Sequence, residues 1–415
     1  MKRVLEGRAA ERAVAQLAQR QSQLDAVGPA VRKIVQAVRK GGDRALLRYA
    51  TLWDSLPKQQ GLRVLAGEIA LGWKATPAEI RHALKLAAAN IRRFANWQVP
   101  RSWSRKISGG ELGQIVRPLD SVGCYVPGGR YPLPSTLLMT AIPAQVAGVR
   151  RIVVISPRPQ PSTLAAAYLL GISEVYRCGG AQGVAALAYG TETIAPVDKI
   201  VGPGNAYVTA AKKRVSSDCA IDMLAGPTEA VVYSESGNPE FLASDLVAQA
   251  EHDPDAVVAF ISTDATLAKS VAAAAKNMAK QNRIASQAMR ARGYALVASS
   301  REQALEWVNR IAPEHLTVDS EAEVPAVRSA GSIFVGNYSP QPAGDYASGP
   351  NHVLPTAGAA RFRGGLSAAD FVKVITVQKF FPEGLREIAP VITTLADAEG
   401  LQAHAQAVRL RCGDA

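Results

Sequence analysis

The sequence predicts an α/β protein of two incomplete doubly wound domains, Rossmann-like in element order, with helical extensions at both ends. Three observations carry this. From about residue 150, short apolar runs bounded by turn residues alternate with helical patterns. Glycine-rich turns follow two of those runs and open helices. The alternation then restarts near residue 229, which makes two blocks rather than one.

The elements follow in order. The first twenty-odd residues read as an amphipathic, charged helix. Residues 29–53 have helical spacing, with Pro29 suited to a first turn and a break at Gly41-Gly42. Residues 77–97 form a second long helix, again with a proline in its first turn. RIVVIS (151–156) is a buried strand, followed by a helix over 162–170. EVYRC (174–178) is a strand that leads into Gly179-Gly180-Ala181-Gln182 and a helix. Residues 199–201 lead a third strand into Gly202-Pro203-Gly204-Asn205 and a helix to about Arg214. The N-termini of helices opened this way can hold anions. The second block has strands at 229–233, 256–262, 293–298 and 332–336. Its helices span 238–252, with Asn238-Pro239 as the cap, then 267–280 and 301–311.

These patterns divide the chain into an N-terminal helical arm (1–25), a discontinuous first α/β domain (26–124 and 230–370), a second α/β domain (125–229) and a C-terminal extension (371–415). The two ends lie outside the alternating blocks, as arms that embrace a partner subunit do.

Composition narrows the classes. A chain of 415 residues, 48% hydrophobic and 20% charged, buries a large core as a globular protein. The net charge of +12 comes from short scattered clusters such as Lys212-Lys213-Arg214, without interleaved aromatics. A solvated basic surface accounts for that better than nucleic-acid binding. No apolar run is long enough to span a membrane, and the N-terminus does not read as a signal peptide. Cys124, Cys178, Cys219 and Cys412 stand alone, which argues against a disulfide framework and for a reducing cytoplasm.

Of five histidines, four sit in polar settings. Gln249 and His252 are three apart on a helical pattern and share a face. An amide oxygen and an imidazole can share a metal, although a surface pair explains the spacing as well. Glu314-His315, after Pro313, places a carboxylate and an imidazole together on a loop, the usual acid–base groups. A helix-end charge pair is the plain alternative. Asp345 and His352 lie in a loop rich in turn formers, GDYASGPNH, where Asp345 could be an oxygen ligand or a turn cap. His404, five residues after Glu399, is near the C-terminus, where histidines commonly face solvent. His82 gets no role. The fingerprint G-x-G-x-x-G is absent.

Eight segments, in order, resemble the histidinol dehydrogenase family over nearly the whole chain. They are VGCYVPGGRYPLPSTLLMTAIPAQVAGV, GGAQGVAALAYGTE, VDKIVGPGNAYV, IDMLAGPTEAVV, SDLVAQAEHDPDA, APEHL, AGDYASGPNHVLPT and EGLQAHAQAV. The resemblance implies a zinc- and NAD-dependent enzyme that oxidises L-histidinol to L-histidine in two steps. It implies zinc ligands at Gln249, His252, Asp345 and His404, and an acid–base pair at Glu314 and His315. It implies NAD contacts at Tyr125, Gln182 and Asn205, making 125–229 the NAD-binding domain. The substrate contacts it implies are Thr228, Gln249, His252, His315, Asp345, His352, Glu399 and His404. It further implies a homodimer in which Glu399 and His404 complete the partner's site.

Family members often carry Ser where this chain has Thr228, and the hydroxyl is kept. GCYVPGGRY and SGPNHVLPT followed by GAARF also occur in relatives that oxidise other polar alcohols, including sulfonated diols. PST at 134–136, DYASG at 345–349 and the Glu399–His404 spacing follow the histidinol pattern.

Overall fold

A computed structural model describes residue 1 and residues 4–19, 24–128 and 132–413. The motif residues 129–131 lie outside these. The chain begins with β1 (Val4–Glu6), α1 (Gly7–Ala18), α2 (Gly28–Trp53), α3 (Ala66–Ala75) and α4 (Ala78–Gln98). Next come β2 (Trp103–Ile107), β3 (Gly110–Pro118), β4 (Ser121–Tyr125), α5 (Pro134–Ala147), β5 (Arg151–Ile155) and α6 (Pro161–Leu169). The first block closes with β6 (Glu174–Tyr176), α7 (Gly180–Tyr189), β7 (Lys199–Val201), α8 (Ala206–Val215) and β8 (Ala220–Ile221). The second holds β9 (Glu229–Tyr233), α9 (Pro239–Ala250), β10 (Val257–Ser262), α10 (Ala265–Met278), α11 (Arg283–Arg292) and β11 (Gly293–Val297). It continues with α12 (Arg301–Ile311), β12 (His315–Val318), β13 (Ser332–Val335) and α13 (Gln341–Tyr346). The chain ends in β14 (Val372–Phe380), α14 (Pro382–Ala398) and α15 (Gln402–Cys412).

Two parallel sheets organise the molecule. One runs β6-β5-β4-β7-β8 and the other β1-β11-β10-β9-β12-β13. In the first, the chain starts in the middle at β4, winds to one side, then returns to wind to the other; the second does the same from β9, with β1 added at its edge beside β11. The order reverses between β4 and β7 in the first sheet and between β9 and β12 in the second. The two doubly wound blocks expected from the sequence are therefore present.

The domain boundaries differ from the expectation. Helices α2 and α4 pack on the β4-containing sheet, not on the second one. The α2 stripe Val31, Ile34 and Val38 joins Val184 and Leu187 of α7 on one face. The α4 stripe Leu84, Ala88 and Ile91 joins Leu137, Leu138 and Ile142 of α5 on the other. An amphipathic helix advertises that it has an apolar face, but not which sheet will cover it. The expected break in α2 is a kink at Gly42, with φ 51° and ψ −138°.

The N-terminal arm is likewise part of the body. β1 pairs in parallel with β11, and Ala10, Ala13, Val14 and Leu17 of α1 are buried with Trp307 and Val308 of α12. Glu11 accepts the Trp307 indole N–H at 2.8 Å. The apolar stripe of this arm is therefore used inside its own chain.

The C-terminal extension is not all helix. β14 pairs antiparallel with β3, which also pairs with β2, in a three-stranded sheet. The run VKVITV is rich in β-branched residues, which fit a pleated surface better than a helix. Most of β14 is exposed, including Val374, Ile375 and Val377. The hairpin of α14 and α15 that follows exposes Val391, Leu395, Leu401 and Leu410. Among the described residues, no helix is long and apolar enough to cross a membrane. The four cysteines are free, three of them buried.

Candidate active site

A cavity of about 490 Å³ lies between the two sheets. One wall is the carboxyl edge of the first sheet, at its reversal point, where Gly202-Pro203-Gly204-Asn205 follow β7. Ligands in doubly wound sheets bind at such a point. The other wall is the amino edge of the second sheet. Thr228 immediately precedes β9, Glu314 precedes β12, and His315 begins it. Gln249, His252, Asp345 and His352 also line it.

Glu314 and His315 are therefore at a strand entrance rather than in a free loop, and both are buried. Glu314 Oε2 accepts two hydrogen bonds, from the Thr228 hydroxyl at 2.7 Å and from the Glu229 N–H at 3.0 Å. Burial nonetheless raises the Glu314 carboxyl above the ordinary range, against the pull of His315 and these donors. His315 Nδ1 lies 3.3 Å from the Glu229 carbonyl oxygen, so this nitrogen carries the hydrogen. That turns Nε2 toward Asp345 Oδ1, also at 3.3 Å. Burial opposes charge on this imidazole, but Glu314, 3.7 Å from Nδ1, and Asp345 outweigh it and raise its pKa. The ring stacks on Phe334, 6.0 Å between centroids.

Asp345 sits on the short helix α13, not in a loop. Its carboxyl is buried, yet the His315 hydrogen bond and the nearby imidazoles hold it below the usual carboxylate range. Asp345 Oδ2 accepts from Gln249 Nε2 at 3.1 Å, and Gln249 Oε1 lies 3.1 Å from the Thr228 hydroxyl. α9 ends at Ala250, so His252 falls in the turn after the helix; its N–H reaches back to the Gln249 carbonyl at 3.3 Å. Gln249 and His252 therefore share the cavity rather than a helix face. His352 donates from Nδ1 to the Asp345 carbonyl at 2.8 Å, and burial lowers its pKa. It stays neutral, with Nε2 left as an acceptor near the Thr136 hydroxyl, 3.5 Å away.

The structure separates other expected residues from this cavity. Tyr125 and Gln182 lie along the same carboxyl edge, both buried, but do not line it. The Tyr125 hydroxyl accepts the Gly180 N–H at 3.1 Å. Gln182 Nε2 donates to Asp54 Oδ2 at 3.0 Å, and Asp54 also takes the Gly179 N–H at 2.9 Å. The anion site anticipated at the α7 N-terminus thus already holds a carboxylate of the chain itself. At α8, the Asn205 side chain caps its own helix by accepting from Tyr207 N and Val208 N. Glu399 and His404 are exposed on the α14–α15 hairpin, away from the cavity.

Three features carry no sequence signal. Asp54 is 125 residues from Gly179. Lys212, expected on a solvated surface, is 1% exposed; its Nζ donates to the Gly202 carbonyl at 3.0 Å and pairs with Asp222. Asp222 also takes the Gly202 N–H at 2.7 Å, so a buried ion pair grips the loop that lines the cavity. Gly202 itself, at φ 113°, leaves no room for a side chain, because a Cβ there would fall 2.2 Å from the Tyr125 carbonyl oxygen.

Among the described residues, no cluster of three or more His, Cys, Asp or Glu side chains is arranged to hold a metal. Of the four zinc ligands expected from the sequence, the cavity brings together one imidazole (His252), one carboxylate (Asp345) and one amide (Gln249). These donors suit zinc in kind but are three rather than four.

Comparisons with known proteins identify the family. The histidinol dehydrogenase family model matches residues 17–412. A histidinol dehydrogenase of Methanothermobacter thermautotrophicus is 45% identical over 407 residues, covering 94% of each chain. One of Brucella suis is 46% identical over 398 residues, 93% of each. The crystal structure of histidinol dehydrogenase from Elizabethkingia anophelis superposes with a TM-score of 0.93 at 37% identity, over 99% of this chain and 97% of that one. A family model that spans nearly the whole chain, together with relatives aligned end to end, places it by descent: it belongs to the histidinol dehydrogenase family.

Proposed function

We propose that the chain oxidises L-histidinol through L-histidinaldehyde to L-histidine, a four-electron oxidation coupled to two NAD+. The observation that carries this reading is the buried Glu314–His315–Asp345 constellation opening into a cavity whose opposite wall is a cofactor-type sheet edge. A different polar alcohol as substrate has no support from the relatives, which carry the histidinol dehydrogenase name.

Gln249, His252 and Asp345 of one subunit, with His404 of a second copy, would hold zinc. Tyr125, Gln182 and Asn205 would contact NAD+, and Thr228, His315, His352 and Glu399 the substrate. When bound, zinc supplies an electrostatic hold on the substrate's nitrogen atoms, and NAD+ takes up the electrons. His315 Nε2 accepts the alcohol proton in the first half-reaction. His352 stays neutral and offers its Nε2 lone pair to the substrate. In the second half-reaction Glu314 takes a proton from water, so that the water adds to the aldehyde. The hydrogen bonds from Thr228 and Glu229 both fall on Oε2, which leaves Oε1 to the water. Cavity walls from two domains keep the reactive aldehyde in place between the steps.

The second copy is needed because Glu399 and His404 lie away from their own chain's cavity. An apolar groove of about 710 Å³, lined by Ile80, Leu84, Ala87 and Leu138, runs up to His252. The exposed apolar residues of α14 and α15 suit such a groove. We propose a homodimer in which each C-terminal hairpin lies across the partner. The test is NADH formation by zinc-loaded protein, with two NADH expected per L-histidinol. Absence of turnover with L-histidinol, alongside turnover of another alcohol, would overturn the assignment.

A further inference from the structure

Beneath the residues that face the substrate lies a second polar layer, and the same three elements supply both. Helix α9 carries Asp245 one turn before Gln249, and α13 carries Gln341 one turn before Asp345. Strand β12 carries Thr317 two residues after His315. Residues four apart on a helix, or two apart on a strand, share a face. Asp245, Thr317 and Gln341 are 6%, 5% and 0% exposed. Their hydrogen bonds close a ring. Asp245 Oδ1 accepts the Gln341 N–H at 3.2 Å, and Gln341 Nε2 donates to Thr317 Oγ1 at 3.0 Å. The Thr317 hydroxyl, so engaged as an acceptor, is left to donate toward Asp245 Oδ2 at 3.5 Å.

We propose that Asp245, Thr317 and Gln341 are positioning residues that clamp α13 to α9 and β12, and so hold the Asp345 carboxylate at Gln249 and His315. This rests on the reading of Gln249 and Asp345 as zinc ligands. The clamp has a physical reason. α13 is six residues long, and a helix that short does not sustain itself. Its leading N–H is satisfied by a carboxylate from another helix, which also places negative charge at the favourable end of its dipole. Burial pushes the Asp245 carboxyl up to about 6, so at neutral pH it is still an ionised acceptor for both donors. A shift of α13 along its axis would carry Asp345 away from Gln249 and His315 together, because a single side chain serves both contacts.

The test compares zinc retention by wild type, Asp245→Ala, Thr317→Val and Asp245→Asn, measured by competition with a chelator. The visible spectrum of cobalt-substituted protein is recorded alongside. Loss of such supporting partners typically weakens metal binding by about 10- to 100-fold, and that loss is expected for Asp245→Ala and Thr317→Val. The cobalt band should change with it. Asp245→Asn, which keeps an oxygen for the Gln341 N–H, should recover most of the affinity. The exposed neighbour Ser244→Ala should leave it unchanged. Unaltered zinc affinity and cobalt spectrum in folded Asp245→Ala and Thr317→Val would overturn the proposal. If Asp245→Ala does not fold, Thr317→Val decides alone, since it keeps the side-chain volume. Hydrogen exchange in metal-free protein separates this inference from the zinc reading. Faster exchange of the α13 amides in the variants supports the clamp even if wild type binds no zinc, and unchanged exchange there refutes it.

Discussion

Replacing Glu314 by Gln removes a base and a charge while keeping the shape of the site. The amide oxygen of Gln can accept from both Thr228 and Glu229, as Glu314 Oε2 does now at 2.7 and 3.0 Å. The loss is therefore chemical rather than geometric. A positioned general base contributes about 10²- to 10⁴-fold, which corresponds to roughly 3–5 kcal/mol of barrier. That loss should fall on the aldehyde-to-acid half-reaction, where water must be activated. The alcohol half-reaction feels a different term. Glu314 lies 3.7 Å from His315 Nδ1, and two unit charges at that separation attract by about 4 kcal/mol at an effective dielectric of 20. Part of this is lost when the carboxylate goes, so His315 becomes less basic. Asp345, still at 3.3 Å, keeps the ring oriented, and the expected decrease is about tenfold or less. The assay follows NADH in single turnovers started from L-histidinol or from L-histidinaldehyde. Equal losses in the two half-reactions would refute the division of labour between Glu314 and His315.

Two further predictions concern parts remote from the proton chemistry. Lys212→Met leaves Asp222 charged and buried without its cation, which should cost about 3–5 kcal/mol in denaturant unfolding and weaken NAD+ binding through the Gly202–Asn205 loop. Adding Asp222→Asn should return much of the stability, and a double variant no more stable than Lys212→Met would count against the ion-pair account. His252→Ala and His404→Ala should each be inactive as pure dimers. Mixed in equal amounts after dissociation, they should regain about a quarter of wild-type activity, because half the dimers then hold one intact site. No recovery on mixing, with dissociation and reassociation verified by mass, would rule out sharing of the site between subunits.

Much of the fold was legible because periodicity reports locally. The runs RIVVI and VVAFIS are short, apolar and bounded by turns, and both are central strands. Asn238 before Pro239 reads as a cap, and its side chain does accept the Glu240 N–H at 2.8 Å. The misreadings arise where a distant partner decides. VKVITV becomes a strand because β3 pairs along its whole length, and nothing in the segment announces that partner. α2 and α4 fall to the first sheet because its faces need covering. In the site, Glu314-His315 was visible as an adjacent pair, and Gln249 and His252 as neighbours. Their convergence with Asp345 depends on α13 crossing to α9, which spacing along the chain does not encode. Asp54, Asp222 and Asp245 were invisible for a simpler reason. Buried carboxylates look like surface ones until their donors are seen.

The placement of the cavity between the carboxyl edge of one sheet and the amino edge of the other has a consequence for how such an enzyme can change. The groups proposed to contact NAD+ are carried by the β4–β8 sheet and its helices, and those proposed to handle protons by β9, β12, α9 and α13. Neither set shares a strand or a helix with the other. Outer helices of the first sheet can be remodelled to accept a different redox partner without disturbing the acidity of Glu314 or His315. The proton machinery can likewise be retuned while dinucleotide contacts stay fixed. Relative alignment of the two sheets is then the one variable that neither half controls alone. Substitutions at their junction, rather than within either half, are where specificity and rate become inseparable.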